Sequence, residues 1–307
     1  MNIQDIRRVL IVGVGTMGQQ IGLQCAMHGY EVVLYDIAPP ALESAIAQIK
    51  IYASHLVAQE RLSQAEAETA MARITTTADP QAAAVEADLL SESVPEDPAL
   101  KGRIFAQFNQ LCPPHTIFTT NTSSLIPSML AEATGRPAQF AALHFHQFVW
   151  DSNVVDIMPH PATSAETVTL LQVFARRIGQ IPIVLKKENY GYVFNTMLNA
   201  LNRAALTLAA NEIASVEDID RAWMGVMKMP LGPFGILDVV GLETAWDITQ
   251  YWAKTLNDPQ LQTNADFLKK YIDQERLGLK NGRGFYTYPN PAYQRPDFLT
   301  GEQGKEE

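Results

Sequence analysis

The sequence predicts an α/β protein: a Rossmann-type doubly wound sheet that carries an inserted helical hairpin and is followed by an all-α second domain. Three observations predict it. Short β-branched runs alternate with longer helical patterns through the first half, and parallel strands require such crossover helices. A glycine-rich turn joins the first of these runs to the first helix. From about Glu188 onward the strand signals stop and helical periodicity takes over.

Taken in order, Arg8 to Val14, Glu31 to Asp36, Asp88 to Ser93, Ile117 to Asn121, Phe140 to His144, Val154 to Met158 and Ile181 to Leu185 read as strands. Met17 to His28, Leu100 to Leu111 and Glu166 to Ile178 read as helices between them. Pro39 to Ile74 is rich in Ala, Glu and Gln and breaks only at Arg61-Leu62-Ser63, so it reads as a helical hairpin without a strand. In the second half Asn195 to Ala210, Val216 to Met227 and Gly241 to Leu256 are the clearest helices. The expected domains are therefore 1–187 and 188–307. The polar end, Leu299 to Glu307, is expected to be disordered.

Composition narrows the function. With 23 Lys plus Arg against 33 Asp plus Glu, a net charge of −10 and no basic block, the chain repels nucleic acid. No apolar run approaches a membrane span, and a strand-like run begins by Val9, leaving no room for a cleaved leader. The expected location is the cytoplasm. Cys25 and Cys112 have no close partner and read as buried free thiols.

The first strand runs into Gly13-Val14-Gly15-Thr16-Met17-Gly18 and then a helix. Gly13 suits the tight turn, Gly15 the approach of a pyrophosphate and Gly18 the packing of helix on strand, with the helix N-terminus facing the anion. Asp36 ends the second strand 23 residues after Gly13, near the spacing of a ribose-binding carboxylate. An anionic Asp36, with no Arg in Ile37-Ala38-Pro39-Pro40, favours NAD over NADP. His144 closes a strand at the carboxyl end, where open α/β sheets place their sites, and imidazole is the natural base near neutral pH.

Around this histidine the sequence resembles the 3-hydroxyacyl-CoA dehydrogenase family over nearly its whole length. The resemblance rests on Asn121-Thr122-Ser123-Ser124-Leu125, on Leu143-His144-Phe145, and on Glu92-Ser93-Val94-Pro95-Glu96 with Lys101. Farther along it rests on Pro230-Leu231-Gly232-Pro233-Phe234, Asp238, Val240-Gly241-Leu242 and Gly284-Phe285-Tyr286. It implies a hydride exchange between NAD and a secondary alcohol that interconverts an (S)-3-hydroxyacyl-CoA and the 3-ketoacyl-CoA, an acyl-CoA thus being the expected substrate and one with a polar or aromatic acyl group included, and a homodimer formed through the helical domain. It makes His144 the base, Ser123 and Asn195 partners of the substrate oxygen, and Asp156 the carboxylate that holds the far nitrogen of the imidazole. It places Thr16, Met17, Glu96, Lys101 and Asn121 with Gly13, Gly15, Gly18 and Asp36 at the cofactor.

The chain departs from the family's His-Phe-Phe-Asn-Pro at His144-Phe145-His146-Gln147-Phe148, and from its glutamate at Asp156. His146 and Gln147 are expected beside the acyl group, away from the base, and the shorter Asp156 is expected to need a backbone adjustment or a bridging water. The hairpin region, 37–85, has five acids against three bases, an unusual balance for meeting the phosphates of CoA. Pro159-His160-Pro161-Ala162-Thr163-Ser164 and Ile178-Gly179-Gln180 resemble the gulonate dehydrogenase and lambda-crystallin branch, which keeps open a free 3-hydroxy acid as substrate and a catalytically silent, cofactor-binding role. His144 and His146 lie two apart and share a strand face, but hydride transfer from this alcohol requires no metal, and none is expected.

Overall fold

The computed structural model describes residues 5–301. Eight strands form one sheet in the order β3-β2-β1-β4-β5-β6-β7-β8: β1 (Arg8–Val12), β2 (Glu31–Tyr35), β3 (Ile74–Thr77), β4 (Leu89–Glu92), β5 (Ile117–Thr120), β6 (Phe140–Phe145), β7 (Val154–Pro159) and β8 (Ile181–Val184). All neighbours run parallel except the antiparallel pair β6 and β7. Because β2 and β4 lie on opposite sides of β1, the chain reverses its winding there, and the carboxyl ends of β1 and β4 open the crevice in which such sheets bind ligands. The doubly wound sheet expected from the sequence is the one observed.

The strands alternate between two covered faces. Val9, Ile11, Val32 and Leu34 face one apolar core with α1 (Thr16–Met27), α2 (Pro39–Ala58), α3 (Gln64–Ala72) and α6 (Ala165–Arg177). Leu10, Val12, Val33 and Tyr35 face another with α4 (Pro80–Ala84) and α5 (Pro98–Leu111), where Phe105 and Phe108 are fully buried. Each such side chain contributes roughly 1.5 to 3 kcal/mol by leaving water. Two-sided cover explains why these strands read as continuous apolar runs.

The hairpin is present as α2 and α3, with Ser63 and Glu66 forming a capping box at the break. It stops at Ala72, however, and Ile74–Thr77 is a strand, contrary to the expectation of helix through Ile74. Its register, Val32 to Ile74 through Tyr35 to Thr77, makes it the edge of the sheet. Only Ile74 of its four residues is apolar, so an apolar-periodicity reading passes over it.

Among the described residues the chain divides into two compact units, one ending at Val193 and the other beginning at Phe194. The second is helical: α7 (Phe194–Ala210), α8 (Val216–Met227), α9 (Pro233–Val240), α10 (Leu242–Leu256) and α11 (Pro259–Ile272) surround a core that includes Leu206, Phe234, Leu237, Leu268 and Phe285. Asp220 of α8 accepts the Phe234 and Gly235 N–H groups at 2.8 and 3.0 Å, thereby capping α9, whose own N-cap is the glycine Gly232. Of the tail expected to be disordered, Leu299 and Thr300 belong to a 3-10 turn, and 302–307 lie outside the described residues. Among the described residues no helix is long and apolar enough to cross a membrane.

Candidate active site

A crevice of about 1,090 Å³ opens beside Gly13, Gly15, Asp36, Ser93 and Asn121. Gly13 adopts φ +94°, and a Cβ there would stand 2.7 Å from the Ser93 carbonyl oxygen, so both the turn and the neighbouring strand exclude a side chain. A Cβ on Gly18 would meet the Gly13 oxygen at 2.0 Å, which is how closely α1 packs on the turn. Gly15 begins α1 with open space above it. No acid occupies the first turn of this helix, so its free N–H groups and positive dipole end suit a pyrophosphate. Thr16 and Met17 continue the same wall. Asp36 is held at the crevice by accepting the N–H groups of Val14 (3.3 Å) and Ala38 (3.1 Å). These residues fit NAD.

On the opposite wall Lys101 is buried, and its ammonium meets Glu92 at 2.6 Å, the Val94 carbonyl at 3.2 Å and Glu96 at 3.1 Å. Three acceptors thus take up its three protons. Glu96 in turn accepts the Ser123 N–H at 3.2 Å, the Ser124 N–H at 3.1 Å and the Ser124 hydroxyl at 2.7 Å, and also the Thr122 hydroxyl. Burial raises the Glu96 carboxyl, but these donors and Lys101 outweigh it and hold it below its ordinary value. The loop that presents Ser123 is therefore fixed by a charged carboxylate as well as by its own turn, in which the Thr122 hydroxyl accepts the Leu125 N–H at 3.0 Å.

Ser123 and His144 lie at the carboxyl ends of the paired strands β5 and β6. Asn121 ties these ends together by accepting the Phe145 N–H at 2.8 Å. His144 stands directly opposite Asp156 in the antiparallel register of β6 and β7. Cross-strand Cβ atoms at such positions lie about 4.5 to 5.5 Å apart, which a short side chain can span. His144 Nδ1 accordingly reaches Asp156 Oδ2 at 3.2 Å, and the shorter acid requires no bridging water. Burial raises the Asp156 carboxyl, but bonds from both His144 and His146, and the charge of either ring whenever it is protonated, hold it below its ordinary value. An ionised carboxylate only accepts. The His144 proton is thereby placed on Nδ1, and Nε2 keeps its lone pair.

His146 differs from expectation. Its Nε2 lies 3.5 Å from the same Asp156 oxygen, and its ring meets the His144 ring edge-on at 4.8 Å, so it lies against the base itself. Gln147 is exposed on the loop that follows. That loop is anchored by Gln20, which accepts the Phe148 and Val149 N–H groups at 2.7 and 3.3 Å, and by Arg61, which bonds Asp151 and the Trp150 carbonyl. Sequence reasoning missed Tyr192, a fully buried ring 4.6 Å from His144 and tilted 33° to it. Burial, reinforced by nearby acids, raises its phenol, which therefore stays protonated. Asn195 lies in the first turn of α7, in the second unit.

Two family models match nearly end to end: the 3-hydroxyacyl-CoA dehydrogenase NAD binding domain over 8–189 and the C-terminal domain of the same family over 191–288. A probable 3-hydroxybutyryl-CoA dehydrogenase of Bacillus subtilis is 30% identical over 284 residues, 92% of this chain and 98% of that protein. Among solved structures, (S)-3-hydroxybutyryl-CoA dehydrogenase PaaH1 of Ralstonia eutropha superposes with a TM-score of 0.84 at 29% identity, covering 93% of this chain and all of that one (100%). A diketoreductase described for dual catalysis of dicarbonyl compounds superposes with a TM-score of 0.86 at 39% identity, covering 92% and 99%. The chain belongs to the 3-hydroxyacyl-CoA dehydrogenase family, NAD-dependent dehydrogenases that act on a secondary alcohol.

Proposed function

We propose that the chain interconverts an (S)-3-hydroxyacyl-CoA and the 3-ketoacyl-CoA, with His144 as general base. The observation that carries this reading is the pairing of ionised Asp156 with Nδ1 of His144, which leaves Nε2 able to take the hydroxyl proton. Asp156 also stabilises the imidazolium that forms. The Ser123 hydroxyl, presented by the Glu96-bound loop, and the Asn195 amide donate to the substrate oxygen as it becomes a carbonyl. Gly13, Gly15, Thr16, Met17, Gly18 and Asp36 hold the cofactor, with Asn121, Glu96 and Lys101 setting the wall that faces it. Bound NAD supplies the acceptor for the hydride that leaves C3. In the second unit Met197, Ile213, Val226 and Tyr251 are exposed, an apolar supply consistent with assembly as a homodimer; the soluble, cytoplasmic reading stands alongside it.

A second substrate reading is a free dicarbonyl or 3-hydroxy acid. It is favoured by the acidic balance of 37–85 and by the likeness to a diketoreductase. NADH oxidation with acetoacetyl-CoA, bulkier 3-ketoacyl-CoAs and the corresponding free keto acids and esters tests both. The CoA reading expects kcat/KM at least tenfold higher with thioesters than with their free counterparts. The reverse order would overturn it in favour of the free substrate, and absence of turnover with every ketone would overturn both.

A further inference from the structure

His144, His146 and Asp156 bring two imidazole nitrogens and a carboxylate oxygen within 4.8 Å of one another, and among the described residues this is the one cluster of three metal-ligating side chains. Strand geometry produces it. His144 and His146 are two apart and share a face, and Asp156 is the cross-strand partner of His144. Two histidines and one carboxylate are the donor set of many zinc, iron and related divalent sites.

The separations also bear on the ligand. Charge-assisted N–H···O bonds run at about 2.7 to 2.9 Å, whereas the two imidazole nitrogens stand 3.2 and 3.5 Å from Asp156 Oδ2. A tetrahedral Zn²⁺ with bonds of about 2.0 to 2.1 Å spaces its ligands by roughly 3.3 Å. Both measured separations lie close to that edge. Two such bonds span at most about 4.2 Å, so the widest separation, no more than 4.8 Å, closes with a small rotation of His146. That residue stands just past the end of β6, and its side chain keeps 15% exposure, which gives the ion a route to the cluster.

We infer that His144 Nδ1, His146 Nε2 and Asp156 Oδ2 form a site for a borderline divalent transition-metal ion, Zn²⁺ above all, and that occupancy switches the dehydrogenase off. The second part rests on the assignment of His144 as base. Coordination requires a lone pair on Nδ1. The Nδ1 proton therefore leaves to solvent and Nε2 takes one up, so the neutral ring keeps one proton on the wrong nitrogen. Nε2 then donates where catalysis needs it to accept. Asp156 is withdrawn from the imidazole by the same event. The ion would act as an inhibitor held behind the base, not as a participant in hydride transfer.

The test uses the full chain, freed of metal with a chelator and titrated with ZnCl₂ by calorimetry and by activity. One Zn²⁺ per chain is expected, with loss of activity that follows occupancy and is reversed by chelator. His146→Gln, checked for retained NADH binding, should weaken Zn²⁺ binding at least tenfold, since even outer-shell partners contribute 10- to 100-fold to metal affinity. Zinc bound elsewhere, for example at the exposed pair His115 and Asp88, would be unchanged by that substitution. No binding to the wild type, or binding indifferent to His146→Gln, overturns the site. Should the variant fail to fold, the visible spectrum of the Co²⁺-loaded wild type decides. Intense d–d bands of a low-coordinate nitrogen-ligated ion support the site, and the weak spectrum of hydrated Co²⁺ refutes it. Stoichiometric, His146-dependent binding with undiminished turnover would leave the ligand set standing, overturn the switch, and count against His144 as base. That last point is read separately by His144→Gln.

Discussion

Two clusters of carboxylates, one in each unit, differ in what surrounds the acid. In the first unit buried Asp156 meets imidazoles and the more exposed Glu96 meets a lysine and hydroxyls, and both are held below their ordinary values despite partial desolvation. In the second, Asp220 meets the N–H groups of Phe234 and Gly235 and the Tyr286 hydroxyl. Asp238 there meets the Phe285 and Tyr286 N–H groups and the Tyr288 hydroxyl. With no cation bonded to either acid in these contacts, burial dominates and raises both, Asp220 to about 6. A perturbed acid is therefore not in itself a sign of chemistry. Glu92, fully buried in the first unit, is raised as well although Lys101 bonds it at 2.6 Å. The upward shifts at Asp220 and Asp238 belong to acids that fasten α9 to the closing turn, whereas the downward shift at Asp156 belongs to the one that keeps a charge beside a base.

The comparison breaks most visibly in activity. His144→Gln should lower kcat by 100-fold or more while NADH binding is retained, because loss of a general base costs 10² to 10⁴. Asp156→Asn should also act on kcat more than on KM, since it removes the charge that stabilises the imidazolium without removing a binding contact. Steady-state kinetics of both variants, beside fluorescence titration of NADH, checks this. Near-normal turnover of His144→Gln would move the base elsewhere, and near-normal turnover of Asp156→Asn would remove Asp156 from its support.

A smaller effect belongs to the structural acids. A folded-state value of about 6 against 3.8 means that the native state holds a proton that the unfolded chain has released between these pH values. The stabilisation linked to Asp220 is thus fully present below about pH 4 and is lost as pH rises through about 6. The neutral Asp220→Asn carries no such dependence. Thermal melts across pH 4 to 8 should show the variant at its greatest disadvantage to wild type at the acid end, with the gap narrowing by on the order of 2 to 3 kcal/mol toward pH 8. A gap that widens with pH would contradict the assigned direction.

Much of the site was legible because it follows periodicity and spacing. The glycine turn, Asp36 at the end of β2, and His144 at the end of β6 are fixed by where strands stop, and the role of Asp156 follows from the family motif. What escaped the sequence depends on partners distant along the chain or on turns without periodicity. Tyr192 reaches His144 from a turn with φ +53°, and no apolar pattern marks it. Glu96 fixes the Ser123 loop across 27 residues, and Asp238 binds the closing turn across 47; neither pairing is written in local spacing. The edge strand Ile74–Thr77 carried a usable signal, a run of four β-branched residues, but one that competes with the helical pattern just before it. His146 was visible as a departure, yet only the β6 and β7 register shows that it shares a carboxylate with the base.

The central claim is that Asp156 fixes the proton of His144 on Nδ1 and leaves Nε2 as the base. Selective ¹⁵N labelling of the six histidines, with His144 assigned by its loss in His144→Gln, reads the tautomer of the metal-free protein directly from its nitrogen shifts. The account predicts a protonated Nδ1 and an imine-like Nε2 for neutral His144 in the wild type, with that preference lost in Asp156→Asn. A neutral His144 protonated on Nε2 in the wild type would contradict it.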